Sequence, residues 1–131
     1  MKKDVVLGAN GYIGTRLSLS LAKSGVEVIA LVDGKFQYDC LKNVDSIIPI
    51  EFSLESIESF YNKSVFEGVD TLYHLAWLGV NALYRNDSEV QVQNVIFSLK
   101  VLEFAEHYHI GRVVFPGSSA ESGSAYRRCC P

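Results

Sequence analysis

The 131-residue sequence predicts an α/β fold, with helices on both faces of a doubly wound parallel sheet of about five strands. Two observations lead to this prediction. Short β-rich segments alternate along the chain with longer amphipathic segments, which is the pattern of βαβ units. The β-rich segments are also almost continuously apolar, as expected of strands that helices bury on both faces. A chain of this length fits one domain, and we predict a single domain over residues 1–131.

The predicted strands are short runs dominated by Val, Ile and Leu, separated by turn-forming residues or by helical patterns. In a parallel sheet their carboxyl ends meet at one edge, which is where ligands bind in this fold class. The five strands are expected at Val5–Leu7, Val26–Val32, Ser46–Ile50, Thr71–Leu75 and Val113–Phe115.

A first helix is predicted over Tyr12–Ser24, where an apolar stripe is followed by the helix stop Ser24-Gly25. A shorter helix is expected over Leu54–Tyr61. The segment Phe36–Asn43 fits a loop and a helix equally well, and both remain open. The stripe of the first helix consists of Ile13, Leu17, Leu21 and Ala22.

A long helix is predicted over Asp87–Tyr108, ahead of the terminator Gly111. Apolar residues recur along it at i, i+3 and i+4 spacing, and we expect this stripe to pack on the sheet. The stripe consists of Val92, Val95, Ile96, Leu99 and Leu102.

Composition excludes several function classes. The chain is 48% hydrophobic and 21% charged, and 12 Lys and Arg against 15 Asp and Glu give a net charge of -3, so no nucleic-acid partner is expected. No apolar run approaches the roughly 20 residues that span a bilayer, and no signal peptide is evident, so we expect a cytoplasmic protein with no membrane partner. The three cysteines lack the spacing of a zinc site, and no metal site is predicted.

A glycine-rich turn, Gly8-Ala9-Asn10-Gly11-Tyr12-Ile13-Gly14, joins the first strand to the first helix. Glycine at its three positions allows a tight turn, close approach of a pyrophosphate to the backbone, and close packing of helix on strand. The N–H groups at the start of the helix would then face the phosphates. We therefore predict a dinucleotide site that includes Gly8, Asn10, Gly11, Tyr12, Ile13 and Gly14. The alternative is a glycine-rich turn with a purely structural role.

Asp33 ends the second strand, 19 residues after Gly14. A carboxylate there can accept hydrogen bonds from both hydroxyls of an adenosine ribose, and it would repel a 2′-phosphate. NAD is therefore the expected cofactor. NADP is the less favoured alternative, which the positive charge of the nearby Lys35 keeps open. The alternative is that Asp33-Gly34 simply forms a turn at the end of the strand.

At this point the sequence resembles the NAD-dependent epimerase/dehydratase family, the extended branch of the short-chain dehydrogenase/reductase superfamily. The G-x-x-G-x-x-G spacing of the turn is the first resemblance. The segment Val69–Trp77 is similar to the family's D-x-V-x-H-L-A-A, Gln93-Asn94-Val95 to the start of its long helix, and 112–121 to its fifth strand and catalytic-serine loop. The resemblance covers nearly the whole chain.

The resemblance implies a Rossmann-type fold, NAD(P) and a nucleotide-sugar-like substrate. It places the catalytic serine at Ser118, with Ser119 as the alternative. Ser122, where the family usually has tyrosine, and Ser53, where it often has aspartate, depart from the pattern. Further cofactor contacts are implied at Leu54, Leu75, Ala76, Trp77 and Asn94.

The family's chemistry also uses a Tyr-x-x-x-Lys pair in the helix that follows the serine loop. After Ser118 the chain has only Tyr126, and the residue four positions later is Cys130. Residues 122–131 form an atypical tail. We therefore expect an N-terminal fragment of a nucleotide-sugar epimerase/dehydratase-type oxidoreductase, truncated before the substrate-binding part and inactive alone. The alternative is a non-catalytic dinucleotide-binding or sensing module. An apolar sheet edge and uncovered helix faces predict a homodimer or aggregation.

Overall fold

The computed structural model describes residues 1–118, so the predictions for Ser119, Ser122, Tyr126 and the tail 122–131 fall outside the described residues. Five parallel strands form one sheet in the order β3-β2-β1-β4-β5. The doubly wound α/β fold is confirmed, and each strand begins and ends within two residues of its predicted bounds. The strands are β1 (Lys3–Leu7), β2 (Glu27–Val32), β3 (Ile47–Glu51), β4 (Thr71–His74) and β5 (Arg112–Val114).

Helices connect the strands. The first predicted helix is α1 (Tyr12–Lys23), and the segment left open contains a single helical turn, α2 (Asp39–Lys42). The predicted helix at Leu54–Tyr61 is instead a 3-10 helix, Leu54–Phe60, and a second 3-10 helix spans Ser64–Phe66. The long helix is α3 (Ser88–His107). No helix within residues 1–118 is long and apolar enough to cross a membrane.

The two faces of the sheet support separate cores, because side chains alternate between faces along each strand. On one face Val6, Val28 and Ala30 pack with Leu41 and with the partly buried Leu17 of α1. On the other face the second core is larger and richer in aromatic rings, supplied by α3 and the 3-10 helices. It includes Val5, Leu7, Ile29, Leu31, Leu72, Phe66, Phe97, Val101, Phe104 and Tyr108.

The predicted inner face of α3 is wrong. Val92, Val95, Ile96, Leu99 and Leu102 are 44–57% exposed. The buried residues lie on the opposite side of the helix: Asn94, Phe97, Val101, Phe104 and Ala105. The helix is apolar on both sides, and the side that carries two phenylalanine rings packs inward because those rings bury more area. A broad apolar face of α3 is therefore left at the surface.

The apolar stripe of α1 is only partly correct. Leu17, Leu21 and Ala22 pack against the core, as predicted. Ile13 is 60% exposed, because the first turn of α1 lies at the carboxyl edge of the sheet, where none of the described elements covers it.

Candidate functional site

The strand order reverses between β1 and β4, and the loops that follow these two strands meet at that point. In doubly wound sheets this crevice is where ligands bind. Gly8 follows β1 with φ of +85°, and a Cβ on it would lie 2.8 Å from the backbone nitrogen of Ala76. Glycine is required here both by the backbone conformation and by the contact with the loop after β4.

Gly14 brings α1 close to the same turn. A Cβ on Gly14 would overlap the carbonyl oxygen of Gly8, so no other residue fits without moving the helix. Gly11 is less constrained: its N–H donates to the Gly8 carbonyl at 3.1 Å, and a Cβ there would lie 3.3 Å from that oxygen. Gly8 and Gly14 are thus demanded by the fold itself, whereas Gly11 has no comparable requirement.

The beginning of α1 differs from that of α3. Within residues 1–118, no side chain caps α1, and its first turn contains no acidic residue. By contrast, Asp87 caps α3, its Oδ1 accepting from the N–H groups of Glu89 and Val90 at 3.0 and 3.2 Å. The amide groups and the partial positive charge at the start of α1 therefore face the crevice without a protein carboxylate to neutralise them.

Asn10 holds the end of β2 against the glycine-rich turn. Its Nδ2 donates to the Asp33 carbonyl at 2.8 Å, and its Oδ1 accepts from the Asp33 N–H at 3.0 Å. This pair of bonds fixes the backbone from which the Asp33 carboxylate extends. The sequence marked Asn10 as part of the site but did not reveal this positioning contact, which depends on β1 and β2 being neighbours.

Asp33 is exposed and serves its own turn with one oxygen. Oδ1 accepts from the N–H of Lys35 at 3.0 Å, which is the turn geometry of the structural alternative. Oδ2 makes no hydrogen bond within residues 1–118. The turn therefore uses Oδ1 and leaves Oδ2 at the surface, so a role of Asp33 in the turn is compatible with a role in binding a ribose.

Asn94 fixes the loop that follows β4. The side chain is buried, and its amide donates to the Leu78 carbonyl at 2.9 Å while its Oδ1 accepts from the Leu78 N–H at 2.8 Å. Trp77, half exposed, donates from Nε1 to Gln91 at 3.2 Å. Residues on α3 thus hold this loop beside Gly8, together with the partly buried Leu75 and Ala76.

His74, the last residue of β4, continues this network inward. Its Nε2 lies 3.1 Å from the hydroxyl of Ser98, which donates to the Asn94 carbonyl at 2.9 Å. The ring packs against Phe97 and Phe115, and Nδ1 has no partner within residues 1–118. Burial lowers the pKa of His74 from 6.5 to about 4, so the ring is neutral at physiological pH and serves packing, not proton transfer.

Two predicted site residues lie on other loops at the carboxyl edge of the sheet. Ser118 is exposed and follows β5, the neighbour of β4, by four residues. Leu54 begins the 3-10 helix after β3, and its side chain lies outside the described part. A groove of about 270 Å³ runs between this 3-10 helix and α3, lined by Glu55, Gln93, Ile96, Phe97 and Lys100.

Tyr38 and Lys42 have the Tyr-x-x-x-Lys spacing, but their geometry is unlike that of a catalytic pair. The Lys42 ammonium lies over the Tyr38 ring, 4.4 Å from its centroid. The Tyr38 hydroxyl donates to Glu51 at 2.8 Å, and this bond, followed by burial, raises the pKa of the hydroxyl above 10.0. A general base requires a lowered pKa, so this pair is unsuited to that role.

Most of the chain matches one known protein family. The model described as the NAD dependent epimerase/dehydratase family matches residues 5–128. The chain belongs to this family. Its glycine-rich turn, the loop after β4 and the Ser118 loop all fall inside the matched region, as the resemblance implied.

Several known proteins are similar to this chain over part of their own length. An uncharacterized short-chain type dehydrogenase/reductase of Sinorhizobium fredii is 34% identical over 74 residues, 56% of this chain and 30% of that protein. An epimerase of Methanothermobacter thermautotrophicus has a TM-score of 0.76 at 25% identity, over 95% of this chain and 37% of its own. MoeE5 in complex with UDP-glucose and NAD has a TM-score of 0.72 at 26% identity, over 96% and 39%. The chain thus spans about two fifths of these solved structures and less of the curated relative.

Proposed function

We propose that this chain binds a nicotinamide dinucleotide in the crevice between β1 and β4, as the cofactor-binding part of a nucleotide-sugar epimerase/dehydratase-type oxidoreductase. One observation carries the proposal. The uncapped N-terminus of α1 opens onto the crevice, where the glycine-rich turn contacts the loop after β4. Backbone amides, a helix dipole and the absence of a side chain at Gly8 and Gly11 together suit a pyrophosphate.

The residues around the crevice fit this cofactor. The amides that begin α1, at Tyr12 and Ile13, would hold the pyrophosphate, and Gly11 and Gly14 keep the turn free of side chains. Asp33 would accept the ribose hydroxyls on Oδ2. The loop at Leu75, Ala76 and Trp77 would line the opposite wall, with Asn94 fixing its backbone. The carboxylate of Asp33 favours NAD over NADP, because a 2′-phosphate would meet like charge.

The bound nicotinamide would supply the hydride chemistry of the reaction. From this chain, Ser118 would hydrogen-bond the reacting oxygen of a nucleotide-sugar substrate, a substrate class supported by the bound UDP-glucose in MoeE5. A tyrosine base needs a nearby cation to titrate at neutral pH, and no Tyr-x-x-x-Lys pair follows Ser118. We therefore propose that the 131-residue chain binds the cofactor but does not turn over a nucleotide sugar.

Calorimetric titration with NAD⁺ tests the binding proposal. Asp33→Ala should weaken binding by about tenfold or more, because hydrogen bonds to a charged acceptor are lost. Asp45→Ala makes the same change of charge in the turn before β3, at the opposite edge, and should leave affinity within about twofold. Absence of NAD⁺ binding by the folded wild-type chain would refute the proposal, and equal effects of the two variants would refute the role given to Asp33.

A second candidate is a non-catalytic dinucleotide-binding module, favoured by the missing pair. Both candidates predict NAD⁺ binding, and both predict no turnover by the chain alone, so activity in the presence of other proteins has to separate them. If the chain, added to a cell extract, raised the turnover of UDP-glucose with NAD⁺ and lost this effect with Ser118→Ala, the enzyme candidate would hold. A wild-type chain that adds no turnover to the extract would favour the module.

We also propose that the chain self-associates. β5 pairs only with β4 within residues 1–118, and the five apolar side chains on the outer face of α3 are 44–57% exposed. Sedimentation velocity over a wide concentration range should show a dimer or larger species. A single monomeric boundary at the highest concentration would contradict this proposal and leave the cofactor proposal intact.

A further inference from the structure

A second carboxylate lies beside the turn that follows β2. Glu51, the last residue of β3, pairs in register with Val32, the residue before Asp33. A Cβ on Gly34 would lie 2.9 Å from both Cδ and Oε2 of Glu51, so the Glu51 carboxylate occupies the space beside Gly34. The carboxylates of Asp33 and Glu51 therefore flank the same short turn.

Tyr38 fixes the position of the Glu51 carboxylate. Its hydroxyl donates to Glu51 Oε1 at 2.8 Å, across the loop between β2 and α2. An exposed glutamate ordinarily samples several rotamers, and this bond reduces that freedom. The hydroxyl takes up one oxygen of Glu51 but leaves the negative charge in place.

We propose that Glu51 is a specificity-determining residue that acts with Asp33 to exclude a dinucleotide carrying a phosphate on the ribose 2′-hydroxyl. The inference rests on the proposed function, since it assumes that Asp33 receives that ribose. A 2′-phosphate would add negative charge next to Asp33, at the turn where Glu51 already lies. Glu51 would not contact NAD⁺, so its effect is confined to the phosphorylated cofactor.

The neighbouring cations do not cancel this repulsion. Lys42 is engaged elsewhere, 3.4 Å from Asp39 and over the Tyr38 ring. Lys35 makes no ion pair within residues 1–118 and is the one cation of the turn itself. The turn combines the positive charge of Lys35 with the negative charges of Asp33 and Glu51, so its net charge is negative. Gly34 offers no side chain to a phosphate, and a larger residue there would first have to displace Glu51.

Paired titrations with NAD⁺ and NADP⁺ test the inference by binding alone. The wild-type chain should prefer NAD⁺, and Glu51→Gln should improve NADP⁺ affinity by about fivefold, as expected for removal of one exposed charge, with NAD⁺ affinity unchanged within about twofold. Tyr38→Phe should shift the preference in the same direction by less. The matched control is Glu67→Gln, which removes an exposed carboxylate between Phe66 and β4, at the amino edge of the sheet, and should not alter the preference.

Salt gives an independent readout. Because the repulsion is between exposed charges, the wild-type preference for NAD⁺ over NADP⁺ should narrow as ionic strength rises, and it should narrow less in Glu51→Gln. If the chain binds NAD⁺ but Glu51→Gln leaves the preference unchanged, or changes both affinities equally, this inference is overturned and the proposed function stands. If the folded chain binds neither dinucleotide, both are overturned.

Discussion

Protonation of His74 should limit the stability of this fold in acid. The ring is 3% exposed and lies between two phenylalanine rings, and its Nδ1 has no hydrogen-bond partner within residues 1–118. The charged form would have to be accommodated without water or a carboxylate. Unfolding exposes the ring to solvent, where its pKa returns to the ordinary 6.5.

The size and sign of the effect follow from the two pKa values. Between pH 6.5 and about 4 the unfolded chain binds a proton at His74 and the folded chain does not, so the free energy of unfolding falls as the pH falls. Above pH 6.5 both states are neutral and the contribution of the neutral ring is fully present. At about 1.4 kcal/mol per pKa unit, the loss reaches about 3 kcal/mol by pH 4, a large part of the stability of a typical domain.

Urea unfolding at pH 7.5 and pH 4.5, followed by circular dichroism, measures this loss. His74→Gln keeps an amide that can bond Ser98 but cannot titrate, so its free energy of unfolding should fall by about 2 to 3 kcal/mol less than that of the wild type over this range. His109→Asn is the control: His109 is exposed with φ of +54°, a conformation that asparagine tolerates, and this variant should follow the wild type. Identical pH dependence in wild type and His74→Gln would refute the argument.

Three further outcomes are expected. Gly14→Ala should lower the free energy of unfolding by about 3 kcal/mol, because the new Cβ overlaps the turn, whereas Gly11→Ala should lower it by less than about 1 kcal/mol. Equal losses of the two variants in urea titrations would contradict the packing argument. Asn94→Ala should lower the free energy of unfolding by about 3 kcal/mol and accelerate hydrogen exchange at the Leu78 amide, since two hydrogen bonds to the Leu78 backbone are lost. An unchanged exchange rate would refute the role of Asn94 in fixing this loop. Ser118→Ala should leave NAD⁺ affinity within about twofold by calorimetry, and a tenfold loss would place Ser118 in the cofactor site instead of beside the reacting oxygen.

The strand positions could be predicted closely because a strand buried on both faces has a simple sequence pattern. Every strand is a run of apolar residues, and the first helix has a clear stop at Ser24-Gly25. The glycine-rich turn could also be recognised, since the glycines required at Gly8 and Gly14 follow directly from a tight strand-to-helix connection. These features depend on residues near one another in the chain.

The orientation of α3 could not be read from its periodicity. Hydrophobic spacing identifies apolar faces but does not rank them when a helix has two, and the face with Phe97 and Phe104 packs inward while Val92 and Leu99 remain exposed. The choice depends on the shape of the sheet and of the 3-10 helices that meet those rings. When a helix is apolar on two sides, periodicity alone does not predict which side packs inward.

Contacts between segments distant in the chain could not be predicted from the sequence either. Asn10 appeared to be a cofactor residue, yet its side chain binds the backbone of Asp33, 23 residues away. Asn94 is a predicted cofactor contact, yet its side-chain amide bonds both the N–H and the carbonyl of Leu78. In each case the partner of the side chain depends on which strands and loops are neighbours in the fold.

Nuclear magnetic resonance mapping of NAD⁺ binding on the folded chain would show whether the cofactor lies in the crevice between β1 and β4. Backbone amide resonances would be followed during titration of the wild-type chain. The largest changes are expected at Gly8 to Gly14, at Asp33 and at Leu75 to Trp77, on both walls of the crevice between β1 and β4. Saturating NAD⁺ without changes at these amides, or with the largest changes on the outer face of α3, would contradict this expectation.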